Sequence, residues 1–115
     1  MKKTALFVFS GDLAVFAHAL LNALDMKNRG YDVKVVVEGD AVKQVSLLRN
    51  ETKPYAALYK RAKDAGLIAC VCKACAMKLG VMPAVIEQGF FTCDDIEGHP
   101  SIARYMEEGR EVLVF

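Results

Sequence analysis

The chain has 115 residues, 54% of them hydrophobic and 25% charged, with a formal net charge of +1. That length suits one ordinary domain with a single core, read here as residues 1–115. The charge leaves no basic excess for nucleic acid, and no apolar run reaches the ~18 residues of a membrane span, so neither partner is expected.

The amino terminus, MKKTALFVFSGDLAVF, imitates a signal peptide, but Ser10, Gly11 and Asp12 interrupt its apolar run and no small-residue cleavage site follows. It reads instead as a buried first strand over residues 4–9, TALFVF. From Leu13 the apolar residues Leu13, Phe16, Ala17, Leu20, Leu21 and Leu24 share one helical face, with Asp12 as N-cap and Gly30 past the carboxyl end. The second strand is residues 32–38, DVKVVVE, and Gly39 and Asp40 lead into a helix carrying Ala41, Val42, Val45 and Leu48. Pro54 suits the first turn of a further helix, whose Tyr55, Leu58, Tyr59 and Ala62 share a face until Gly66.

The third strand runs from Leu67 to about Val71, followed by a short helix from Ala74 to Leu79 that Gly80 stops. Pro83 opens another turn ending at Gly89, and a short strand is expected near residues 90–92. Pro100 is placed at the first position of a last helix reaching Glu108, Gly109 caps it, and residues 111–115, EVLVF, supply the final strand. Strands alternating with helices predict an α/β domain of three layers: a mostly parallel sheet of four or five strands with helices on both faces. Reactive groups in such sheets gather at the carboxyl ends of the strands.

One such end holds IACVCKACAMKLG, residues 68–80, with three of the chain's four cysteines inside six positions. With no signal peptide and no membrane span the expected location is cytoplasmic, where clustered cysteines point to catalysis or metal rather than to structural disulfides. Cys70, inside the strand, reads as a small buried hydrophobe. Cys72 falls where strand gives way to helix, so backbone N–H groups and the charges of Lys73 and Lys78 are expected to lower its thiol pKa and leave it accessible. Cys75, one turn on, faces it as in any CxxC pair.

Three chemistries fit that spacing. The first is a nucleophilic or sulfur-carrying thiolate at Cys72. The second is a CxxC redox pair of Cys72 with Cys75, although the arrangement does not match a thioredoxin domain. The third is a zinc or iron site in which Cys70, Cys72 and Cys75 are joined by Cys93 or His99; one dense group, rather than two CxxC knuckles, counts against a structural zinc site. His99, beside Pro100, also fits a simple turn or N-cap role, and His18 a place on the surface. The single glycine of the SGD turn is far from a dinucleotide fingerprint, and Asp12 repels phosphate, so no cofactor is expected.

A first strand ending in SGD, a third strand running into a cysteine, a helix closed by glycine from Cys72 to Gly80, and the ending GHPSIARYMEEGREVLVF together resemble the DsrE/DsrF-like family of small sulfur-relay proteins. The resemblance covers nearly the whole chain. It implies a flavodoxin-like sheet, assembly into a homo-oligomer (trimer or hexamer), and a cysteine that in some members accepts sulfane sulfur as a persulfide. Only Cys72 matches that cysteine's position; Cys70 and Cys75 depart from the commonest single-cysteine pattern. Sulfur donor and acceptor proteins are the partners so implied. A non-enzymatic interaction protein is the remaining alternative.

Overall fold

A computed structural model describes residues 1–115. The elements follow in the order β1 (Lys3–Val8), α1 (Leu13–Asn28), β2 (Asp32–Val37), α2 (Val42–Leu47), α3 (Ala56–Asp64), β3 (Ile68–Cys72), α4 (Lys73–Lys78), α5 (Met82–Glu87), β4 (Thr92–Cys93), α6 (Ile102–Glu107) and β5 (Glu111–Val114). The strands form one five-stranded sheet in the order β4-β3-β2-β1-β5, with every pairing parallel. None of the helices is long and apolar enough to cross a membrane.

Side-chain caps start α1, α4 and α6, while α2, α3 and α5 begin without one. Asp12 caps α1 by accepting from the Ala14 and Val15 amides at 2.8 and 3.2 Å, and Gly30, with φ of 87°, takes the left-handed position beyond its end. Two expected starts move. Pro54 stays outside α3, which begins after Tyr55 in a left-handed conformation (φ 66°). Pro100 stays outside α6, where Ser101 is the cap and accepts from the Arg104 amide at 3.3 Å. Leu21, expected on the inner face of α1, is exposed; the expected Phe16, Ala17 and Leu20 are buried there together with Ala19 and Ala23, and Leu13 and Leu24 pack at its border.

From β1 through β4 the chain steps one way across the sheet, so right-handed crossovers stack α1 to α5 on one face. Their apolar sides and the sheet form a core of 23 buried residues, including Leu6, Val35, Val37, Phe16, Leu20 and Tyr59. The return from β4 to β5 crosses the whole sheet and puts α6 on the other face. There the core is only Ala5, Phe7, Val36, Cys70, Cys93 and Tyr105.

Between β2 and β3 the register slips: Val35 pairs with Ile68 but Val36 with Cys70, leaving Ala69 as an extra residue. Strict alternation would put Ile68 and Cys70 on the same face. The bulge places Ile68 in the large core and Cys70 in the small one.

Candidate functional site

The four cysteines divide into two pairs on opposite sides of β3. Cys70 and Cys93 are joined by a disulfide, with Cα atoms 5.7 Å apart, and the Tyr105 hydroxyl donates to Cys70 Sγ at 3.4 Å. Cys70 is buried as expected, but it is not an inert hydrophobe. Its position beside the paired strand β4, where Cys72 stands in register with Cys93, brings two thiols together that the sequence separates by 23 residues. The expectation against structural disulfides is corrected here, and with it the part of the metal alternative that used Cys70 and Cys93.

Cys72 and Cys75 are free. The chain turns sharply at the end of β3, so Cys72 swings to the large-core side and caps α4, its Sγ accepting from the Cys75 amide at 3.3 Å. Cys75 follows one turn later, and its Sγ lies 2.6 Å from that of Cys72. The Gly39 amide, just past β2, donates to Cys75 Sγ at 3.3 Å. Gly39 has φ of 59°, and an added Cβ would stand 3.1 Å from the Phe9 carbonyl, so a side chain there would disturb this donor.

His99 closes the group from above. The segment between β4 and α6 packs on α4 through Gly98, whose carbonyl accepts from the Ala74 amide at 2.9 Å. A Cβ on Gly98 would meet Ala74 Cβ at 3.0 Å. That close approach brings His99 Nδ1 to 3.3 Å from Cys72 Sγ, 3.7 Å from Cys75 Sγ and 3.8 Å from Glu38 Oε1. His99 is therefore a turn residue whose ring is also a member of the site.

The two thiols differ in access. Cys72 is 0% exposed. Cys75 is half-buried and, with His99, Gly39, Asp40, Ala74, Lys78 and Leu79, lines a cavity of about 270 Å³. Burial pushes the Cys72 thiol up to about 12; its hydrogen bond to Cys75 and the charges of Cys75 and Glu38 add to this, against the opposing Cys75 amide. The expected accessible, low-pKa Cys72 is thus corrected, because the cap that supplies an N–H also draws the sulfur under the helix. Lys73 gives little help, being 3.7 Å from Asp94 in an ion pair, while Lys78 stands on the cavity wall. Burial also raises the Glu38 carboxyl, with the His99 charge opposing.

The description that matches this chain is that of the DsrE/DsrF-like family, over residues 3–115. The chain belongs to the DsrE/DsrF-like family. An uncharacterized protein of Methanocaldococcus jannaschii is 30% identical over 118 residues, spanning 96% of this chain and 93% of that one. An uncharacterized protein of Archaeoglobus fulgidus is 46% identical over 37 residues, 32% of this chain and all of that one. Among solved structures, a conserved protein of unknown function from Bacteroides thetaiotaomicron superposes with a TM-score of 0.67 at 21% identity, covering 99% of this chain and 95% of that one, a likeness of fold.

In this DsrE/DsrF-like chain the structure gathers Cys72, Cys75 and His99 and leaves out Cys70, Cys93 and His18. His18 is exposed on α1, and Asn22 donates to its backbone carbonyl at 2.8 Å rather than to its ring. Sequence reasoning missed Glu38, Gly39 and Gly98. A signal for the first two was present, since both follow β2 at the carboxyl edge of the sheet, where such sites form.

Proposed function

We propose that this DsrE/DsrF-like protein is a cysteine-based sulfur carrier in intracellular sulfur relay, with Cys75 as the thiol that receives sulfane sulfur and Cys72 as its buried partner. The observation that carries this reading is the difference in access: Cys75 lines the cavity and Cys72 does not. A persulfide forms by thiolate attack and must stay reachable for the next nucleophile. The Cys75 thiolate attacks the outer sulfur of a donor persulfide, R–S–SH, forming Cys75–S–SH and releasing RSH once the departing thiolate takes a proton. An acceptor thiolate then attacks that terminal sulfur and returns Cys75 as a thiol, with no net oxidation. If no acceptor arrives, Cys72 attacks Cys75 Sγ, closes the Cys72–Cys75 disulfide and expels hydrosulfide; the two electrons that reduce the sulfur come from the dithiol.

Donor and acceptor proteins are the partners in this reading, and a homo-oligomer, trimer or hexamer, is its assembly. Phe91 at 80% exposure and Val114 at 62% support an apolar contact between copies. Light scattering that returns only monomer rejects the assembly.

Intact-mass analysis of the reduced chain after incubation with a low-molecular-weight persulfide tests the carrier role. Cys72→Ser should hold one added sulfur stably, Cys75→Ser should hold none, and the native chain should gain sulfur and then convert to the Cys72–Cys75 disulfide. Sulfur on Cys75→Ser but not on Cys72→Ser returns the role to Cys72. A native chain that forms the disulfide with oxidants but never gains sulfur is a redox CxxC module instead.

A further inference from the structure

We infer that Cys72, Cys75 and His99 also form a three-ligand site for a borderline-soft dication such as zinc, with the fourth position open to the cavity. Their ligand atoms lie within 4.8 Å of one another. Around a tetrahedral zinc, with bonds of about 2.0–2.3 Å, neighbouring donors stand about 3.5 Å apart. His99 Nδ1 already meets that spacing, at 3.3 Å from Cys72 Sγ and 3.7 Å from Cys75 Sγ. Only the two sulfurs, 2.6 Å apart, must part, by roughly 1 Å. Cys75 faces the open cavity and can supply that movement by side-chain rotation.

The surroundings suit thiolate ligands. Each sulfur accepts a backbone N–H: Cys72 from the Cys75 amide and Cys75 from the Gly39 amide, both at 3.3 Å. Such donors spread the charge of a metal-bound thiolate and hold its direction. The Glu38 carboxylate, with a side chain 14% exposed and Oε1 3.8 Å from His99 Nδ1, adds negative charge beside the cation. Cys70 and Cys93 take no part, being bonded to each other in the core on the opposite face. Binding expels the two thiol protons and changes no oxidation state. Two cysteines and one histidine with an open position is the donor set of a zinc that binds an exogenous ligand rather than of a closed structural site.

The test is anaerobic titration of the metal-free full chain with cobalt(II), followed by zinc(II) as competitor. One cobalt per chain should bind, with a thiolate-to-cobalt charge-transfer band and tetrahedral d–d absorption that one equivalent of zinc abolishes. His99→Ala should weaken binding about 10-fold or more and Cys75→Ser about 100-fold. Cys70→Ala/Cys93→Ala should stay within about 3-fold of the native affinity, since those sulfurs are not ligands. Circular dichroism of each variant separates ligand loss from unfolding. Absence of the charge-transfer band, or native affinity in folded His99→Ala and Cys75→Ser, overturns the inference. A chain that binds cobalt but never gains sulfur keeps the metal site and rejects the carrier; the opposite pair of results does the reverse.

Discussion

Cys70 and Cys72 stand two residues apart on one strand and meet opposite fates. Cys70 faces the thin side of the sheet and is bonded to Cys93 under Tyr105; Cys72 turns toward the thick side and keeps a free thiol against Cys75 and His99. Position in the chain sets Cys72 at the start of α4 and Cys70 inside the strand, but it does not set the partner of either sulfur. What separates them is which neighbour the fold delivers: an edge strand for Cys70, a helix start and a returning loop for Cys72.

Breaking the bonded pair should have the largest effect on stability at neutral pH. The disulfide closes a loop across 23 residues of sequence, for which chain-entropy reasoning gives about 3 kcal/mol. Cys70→Ala/Cys93→Ala should lose about that amount in denaturant titration under oxidising conditions. An unchanged midpoint would show that the pair is not bonded in solution.

The free pair should show its asymmetry in alkylation. With both thiols reduced, iodoacetamide at neutral pH should modify Cys75 about 100-fold faster than Cys72, because attack needs an accessible thiolate. Peptide mapping over a time course reads the two rates, and equal rates would remove the division of roles.

The raised thiol also has a signature in stability. Because the folded-state value of Cys72, about 12, lies above the ordinary 9.0, its contribution is complete below pH 9 and drains away as pH climbs toward 12. Tyr59 and Tyr105, whose hydroxyls burial also raises, lose protons at high pH as well. The measurement is therefore the difference between the native chain and Cys72→Ala. Native stability should fall more steeply through that range, by at most about 1.4 kcal/mol per pH unit; parallel curves would contradict the burial of the thiol.

The smallest expected change is Gly39→Ala. A left-handed φ of 59° and a Cβ held 3.1 Å from the Phe9 carbonyl should cost about 1–2 kcal/mol in a thermal or denaturant melt. The same variant should slow sulfur loading of Cys75 while leaving the Cys70–Cys93 bond intact, since it loosens only the amide that points at Cys75 Sγ.

Most of the architecture was legible in the sequence. Apolar runs such as TALFVF and DVKVVV bury strands on both faces, α1 carries its own cap and stop in Asp12 and Gly30, and the βα alternation implies the parallel sheet. The CxxC pair was legible too, because Cys72 and Cys75 are one helical turn apart and their proximity is a local matter. The family was also visible in the chain's layout, from SGD to the closing strand.

Which sulfur would be exposed, which would be bonded and which histidine would join them were decided only by tertiary structure. The pairing of Cys70 with Cys93 depends on β4 docking beside β3, the separation of Ile68 from Cys70 on a one-residue bulge, and the place of His99 on Gly98 fitting against Ala74. Each of these is a contact between residues distant in sequence or a slip in register, and neither leaves a periodic trace in composition. Local chemistry sets the elements; the chemistry of the site depends on what the return path of the chain places above them.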